Sequence, residues 1–374
     1  MLKKTALFEE HTKLNGKLVD FAGWNLPIQY TSVIDEHVTC RTKAGIFDVS
    51  HMGEFIVKGK YAKVFLNYLL TNDLSLISNG KAQYTLLCNR DGGIIDDLIV
   101  YQLLEDQFLI VVNASNIEND FAQFQKIYSE NKTRWPEVEI LNKSDQYTQI
   151  ALQGPLAKEI LQPLVNINLD EINPFCFVEK SALDIKNVII ARTGYTGSDG
   201  FELYLPWEGG PAVWQSILKS GTSSGLKPCG LASRDTLRIE MKYPLYGQEI
   251  TLNTTPLEAG LVWTVKFNKE DFVGKDALIQ QKSVGITKKL VGLELLQRGV
   301  PRTGYFIYSD SEEQNKIGYV TSGTHSPSLN TPIAIAYLDG EFTKLDSEVY
   351  IKVRNKLLPA RVTKTPFYKK TKEQ

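Results

Sequence analysis

The chain has 374 residues, of which 43% are hydrophobic and 23% charged, and a formal charge of −1. That length calls for two or three domains, and the balanced charge removes any general case for nucleic-acid or membrane-surface binding. Cys40, Cys88, Cys176 and Cys229 are scattered, as are the four histidines, which excludes a disulfide framework or a zinc or iron–sulfur site and fits a reducing compartment.

In chain order, Ser32 with Asp35 reads as a helix N-cap, and Gly45 as the end of that helix. Ile46–Val49 and Glu54–Val57 read as short strands, and Tyr61, Val64, Phe65, Tyr68 and Leu69 have helical spacing. A meander follows: Tyr84–Cys88, Ile94–Leu104 and Phe108–Asn113, broken by Asn89–Gly93 and by Glu105–Asp106. Ser115 and Glu118 predict a capping box for a helix with the stripe Ile117, Phe121, Phe124 and Tyr128. A hairpin is predicted at Asn187–Arg192 and Phe201–Leu205, then helices from Pro211 and over Gly230–Lys242. Beyond about residue 280, Leu290–Leu296, Tyr305–Tyr308, Ile317–Thr321, Ile333–Leu338, Val349–Val353 and Ala360–Thr363 read as strands of a small barrel or sandwich. The class is therefore α+β with antiparallel sheets. No apolar run approaches the ~18 residues of a membrane helix, and no secretory leader is evident, so the expected location is cytoplasmic.

Asp96 and Asp97 interrupt the apolar run Ile94–Tyr101. Strand neighbours face opposite ways, so Asp97 belongs with Ile95, Ile99 and Tyr101, and Asp96 with Leu98 and Val100. They cannot easily act as one dyad. Two readings stand: one inward carboxylate beside an aromatic wall, or two solvated acids at a hairpin mouth. Nothing in the sequence demands a raised pKa at Asp97. The glycine-rich Gly194–Gly200 lacks a phosphate-loop lysine and leads into a strand, so it reads as a hairpin loop. Glu202 in the following strand could hydrogen-bond a flat N–H-rich group, or face water. Arg234 and Arg238 lie one turn apart; they could hold a carboxylate ligand, or pair with Asp235 and Glu240. Eight basic residues from Lys352 to Lys372 stand against the single acid Glu373; they form a solvated tail or a surface for an acidic partner, with Lys369, Lys370 and Lys372 at its end.

Val19–Trp24, Phe47–Glu54, Gly92–Val100, Arg192–Gly197, Asp199–Leu203 and Gly318–Gly323 together resemble the T-protein of the glycine cleavage system, an aminomethyltransferase family, in order from near Leu7 to near Tyr368. The resemblance implies a three-domain cloverleaf with a C-terminal all-β barrel and a central folate-binding channel. Two interleaved α+β domains would lie within 1–280, one including about 54–135, and the barrel in 281–374. It also implies transfer of the methylene of the aminomethyl-dihydrolipoyl arm of H-protein to tetrahydrofolate as co-substrate, with ammonia released and no metal. The family's essential carboxylate falls on Asp97 and its pterin-edge carboxylate on Glu202. Tyr84, Tyr101, Asn113, Tyr195, Arg234, Trp263 and Tyr368 match other folate positions. Phe175 departs from a tyrosine common among relatives. Electrostatic positioning is the expected role of Asp97. The rivals are another tetrahydrofolate-dependent demethylase on the same fold, and a non-catalytic folate-binding protein of iron–sulfur assembly. Lys242–Glu249 lacks the cysteine of the latter branch.

Overall fold

Alternating apolar residues pair Ala82–Cys88, Ile94–Leu104 and Gln107–Val112 into the predicted antiparallel meander. In the computed structural model, which describes residues 2–182 and 185–369, Gly53–Lys58 and Glu139–Asn142 extend it to five strands. Helices Ala62–Leu69 and Ile117–Glu130 pack on it, burying Phe65, Leu66, Phe124 and Ile127 with Phe55, Leu98, Val100 and Phe108. Each such side chain contributes roughly 1.5–3 kcal/mol of burial. The expected Ser115–Glu118 capping box does not form. Asn116 holds the N-cap position without a side-chain cap, and its Nδ2 donates instead to buried Asp96 (2.8 Å to Oδ1).

The other face of this sheet lays Tyr101, Leu109 and Val111 on Ile189, Ala191 and Tyr204 of a second sheet. That sheet runs Phe177–Ala182, Ile185–Ala191, Gly200–Pro206, Tyr147–Gln153, Gly45–Asp48, with Lys227–Pro228 added in parallel at its edge. The first sheet is thus an excursion of the chain between two adjacent strands of the second. Val213, Trp214 and Ile217 of helix Gly210–Ser220 pack with Ile150, Leu152, Leu203 and Leu205 of the second sheet. Ser32 caps helix Val33–Thr42 as expected (Asp35 N–H to Oγ 3.2 Å), but Gly45 opens a strand and does not end that helix. Glycine is required there, since a Cβ would come within 2.6 Å of the Cys229 sulfur.

The C-terminal strands Lys288–Leu295, Phe306–Tyr308, Lys316–Ser326, Thr331–Asp339, Glu348–Val353 and Lys356–Thr363 close into a six-stranded barrel. Leu293, Ile307, Val320, Ala336, Ile351 and Val362 are among its filling. The described residues therefore have α+β architecture, with two large antiparallel-dominated sheets, a two-stranded ribbon of Lys17–Phe21 and Trp24–Gln29, and an all-β barrel. Helix Lys275–Val284, which the sequence analysis does not predict, leads into the barrel. Among the described residues no helix is long and apolar enough to cross a membrane. Lys370 and Lys372 lie outside the described residues.

Candidate active site

Strand parity holds at Asp96 and Asp97. Leu98 and Val100 enter the core of the first sheet, while Ile99 and Tyr101 face the second; Ile95, expected with them, packs instead with the first core, where the pairing register slips between Leu87 and Cys88. Asp97 keeps partial exposure, whereas Asp96 has none. The Tyr84 hydroxyl donates to Asp97 Oδ2 (2.9 Å), and burial together with Asp97 raises the phenol pKa, so it stays protonated. Asn113 Nδ2 donates to Oδ1 of Asp97 and to Oδ1 of Asp96, both at 2.8 Å. The two acids face apart yet share one amide. Asp96 also accepts from the Asn113 backbone N–H (3.0 Å) and from Asn116 Nδ2 (2.8 Å).

A third carboxyl completes the group. Asp120 of helix Ile117–Glu130 is fully buried, and burial followed by the charges of Asp96 and Asp97 pushes its pKa up to about 11. It is therefore protonated; its two oxygens are buried without a hydrogen-bond partner among the described residues, and it lies close enough to Asp96 for the two to perturb each other. None of the three makes an ion pair among the described residues. Burial first, and Asp96 second, push Asp97 up to about 7. The expectation of an ordinary carboxylate at position 97 is thereby corrected. The cause is tertiary: like charges and low dielectric without a compensating cation.

The Trp263 indole, 56% exposed, stacks on the Tyr84 ring with centroids 5.7 Å apart and 23° between planes. Tyr195 lies within electrostatic reach of Asp97 and Tyr84. Its hydroxyl donates to the Pro244 carbonyl, its ring stacks on Tyr243 (5.8 Å, 27°), and the Arg234 guanidinium lies over it at 4.6 Å. The two arginines divide cleanly. Arg238 is consumed by Asp235 (2.8 Å), Glu249 (2.6 Å) and Ser322 (2.7 Å), whereas Arg234 makes no ion pair among the described residues. Near Arg234, His51 is buried with Nδ1 unpartnered; burial and the Arg234 charge lower its pKa to about 4, so it is neutral.

Glu202 is buried in strand Gly200–Pro206. It accepts from Thr193 Oγ1 (2.5 Å) and Gln149 Nε2 (3.2 Å), and burial raises its pKa against the opposing pull of Arg234. Tyr101 is fully buried; its hydroxyl meets Tyr204 (2.8 Å) and Thr193 (3.3 Å), so it supports the Glu202 network from behind. Tyr368 stands on the Arg41 guanidinium (4.3 Å), and its N–H bonds the Glu240 carbonyl (3.1 Å). Phe175 is 46% exposed at φ 56° and has no hydroxyl to offer. Sequence reasoning missed Asp120, Asn116, Thr193, Gln149 and Tyr243. Asp120 carries a legible signal, since it sits three residues after Ile117 and four before Phe124, on the apolar stripe itself.

Comparison with known proteins agrees with this geometry. The GCVT N-terminal domain matches residues 7–269, and the glycine cleavage T-protein C-terminal barrel domain matches 288–369. The chain belongs to the glycine cleavage T-protein family. It is 47% identical over 373 residues to an aminomethyltransferase of Geobacillus sp. (strain WCH70), covering 100% of both chains. It is 48% identical over 369 residues to one from Halalkalibacterium halodurans, covering 99% of each. The crystal structure of glycine cleavage system aminomethyltransferase T from Bartonella henselae superposes with a TM-score of 0.90 at 35% identity, covering 98% of each chain. Among the described residues no group of three or more His, Cys, Asp or Glu is arranged to hold a metal ion.

Proposed function

We propose that this aminomethyltransferase takes the methylene from the aminomethyl-dihydrolipoyl arm of H-protein and passes it to tetrahydrofolate. Ammonia is released, and 5,10-methylenetetrahydrofolate and the reduced arm remain. The observation that carries the reading is a carboxyl at position 97 held by Tyr84 and Asn113, raised to about 7 and without an ion pair among the described residues. In the reaction the carbon exchanges its bonds to nitrogen and sulfur for two bonds to acceptor nitrogens. The two protons those nitrogens lose must reach the departing ammonia and thiolate. A carboxyl with its midpoint near neutrality can accept a proton and return it, worth roughly 10²–10⁴-fold. Its charged form also stabilises positive charge on the activated methylene. The raised midpoint moves the preferred role of Asp97 from positioning alone to proton transfer with positioning.

The neighbouring groups suit a reduced folate. Glu202 has a buried carboxylate with lone pairs to spare for a flat N–H-rich ring edge. The Tyr84–Trp263 pair offers an aromatic face beside Asp97. Arg234, without an ion pair, is available to an anionic group, and Tyr195 fixes its orientation. Asn113 is a positioning residue that aims Asp97, while the charge of Asp96 and burial raise its midpoint. The decisive assay combines lipoylated H-protein carrying the aminomethyl group, tetrahydrofolate and a readout of ammonia. Ammonia release that depends on both supports the reading; release without H-protein points to a demethylase, and no release despite folate binding points to a non-catalytic binder.

A further inference from the structure

Two deficits in hydrogen bonding meet in the layer between the two large sheets. Glu54, in strand Gly53–Lys58, is fully buried, and neither of its carboxyl oxygens has a hydrogen-bond partner among the described residues. Gln149, in strand Tyr147–Gln153, is also buried, and its Oε1 has none either. The other end of that amide is occupied. Nε2 donates to Glu202 Oε1 (3.2 Å) and to the Tyr204 hydroxyl (3.1 Å). Buried polar atoms without partners are rare and costly, so three oxygens in one layer call for an explanation.

Strand alternation puts Glu54 on the face of Ile56, opposite Val111 in register, and both of those side chains lie in the cluster that holds Tyr204. On the facing sheet Tyr147 and Gln149 share a face, and Tyr204 stands opposite Gln149 in register. Glu54 acts electrostatically on both Tyr147 and Tyr204. Those rings flank Gln149, one along its strand and one across, so Glu54 and the bare Gln149 oxygen occupy the same part of the layer. The chain path agrees: Ser50, whose hydroxyl accepts from the Gln149 N–H (3.0 Å), shortly precedes Glu54. Burial, and after it the charge of Asp145, holds the Glu54 carboxyl well above the usual range, so it carries a proton. A protonated carboxyl is a donor, and Gln149 Oε1 is an acceptor without one. The two deficits are complementary, and one internal water spans them. Were the amide reversed, its oxygen would face the Glu202 carboxylate and repel it.

We propose that Glu54, acting through Gln149, is a positioning residue for Glu202 and so sets affinity for the N–H-rich edge of the acceptor's ring. The inference rests on the tetrahydrofolate reading above. With its oxygen satisfied by Glu54, the Gln149 amide keeps its N–H group on Glu202 and aims that carboxylate. The test measures dissociation constants by quenching of tyrosine and tryptophan fluorescence. The ligands are tetrahydrofolate and its 2-desamino-2-methyl analogue, which lacks the exocyclic amino group of that ring edge. Glu54→Leu removes the donor at similar volume, and Glu54→Gln supplies one again. The parent is expected to prefer tetrahydrofolate by about tenfold or more, Glu54→Leu to lose about threefold or more of that preference, and Glu54→Gln to keep it. Gln149→Leu should also weaken the preference, and adding Glu54→Leu to it should change little further, because both act through one contact. Urea unfolding of each variant separates positioning from packing. A merely structural Glu54 would lose stability as Leu with the preference intact, and that result overturns the proposal. Equal loss of preference in Glu54→Gln and Glu54→Leu, or full additivity with Gln149→Leu, overturns it too. Glu54→Ala, read in the same way, decides if Glu54→Leu does not fold. Failure of the parent to bind tetrahydrofolate at all would instead sink the folate reading.

Discussion

Glu240 and Asp97 are both carboxylates withdrawn from bulk water, and the protein treats them in opposite ways. Glu240, at the end of helix Leu231–Glu240, accepts from Arg41 (2.9 and 3.2 Å), Ser326 (2.5 Å), Ser328 (2.9 and 3.1 Å) and His37 (3.2 Å). Burial alone would raise its pKa, but His37, Ser326 and Arg41 outweigh that and hold it at about 2. It joins the helix to the barrel. Asp97 has two neutral donors, a charged neighbour and, among the described residues, no ion pair, and rises to about 7. A buried charge with complete compensation is a structural joint, and one left short of compensation is a group held ready for a ligand. The same division separates Arg238 from Arg234.

The sharpest way to break the contrast is to neutralise Asp97. Asp97→Asn should lower kcat by about 10³-fold or more, with the dissociation constant for tetrahydrofolate within about tenfold, as expected of a group acting mainly in the transition state. Steady-state ammonia release and a fluorescence titration check both halves; turnover near normal contradicts the assignment. Truncating the joint should instead cost stability. Glu240→Ala leaves Arg41 and His37 facing each other without their anion, and should destabilise by about 3–5 kcal/mol in urea unfolding. Because the folded pKa of Glu240 is depressed, its contribution is complete above pH 4.5 and lost as pH falls towards about 2. The Glu240→Ala penalty should therefore shrink across that window.

Asp96→Asn removes the like charge beside Asp97 while keeping a side chain of the same shape. The limb of the pH–rate profile assigned to Asp97 should move acidward by about one unit, with KM for folate little altered. A purely structural Asp96 would lower stability and leave that limb in place. The effect of opposite sign, a gain in stability, is expected at Asp120. Its folded pKa is raised from 3.8 to about 11, so ionisation in the unfolded chain works against folding as pH rises above about 4. Asn keeps the shape without that liability. Asp120→Asn should match the parent below pH 4 and become progressively more stable than it as pH rises from 4 to 8. Thermal melts at the two pH values decide it.

Strand period alone placed Asp97, Ile99 and Tyr101 on one face, and the barrel strands were marked out by their turns. The placement of Glu202 between Phe201 and Leu203 was also visible, because alternation needs only local sequence. What stayed hidden was tertiary. Asp120 and Asn116 reach Asp96 only because helix Ile117–Glu130 packs on the sheet, and the midpoint of Asp97 depends on burial and on the charge of Asp96. Arg234 and Arg238 looked equivalent until Glu249, eleven residues beyond Arg238, was seen to claim one of them. The capping box at Ser115 did not form either, and Asn116, at the N-cap, donates to buried Asp96.

Direct titration of the Asp97 carboxyl by carbon-detected NMR, with Asp97→Asn to assign the resonance, bears most closely on all of this. A midpoint near 7 that falls in Asp96→Asn is the predicted result. A midpoint near the ordinary value of 3.8, indifferent to position 96, would contradict it.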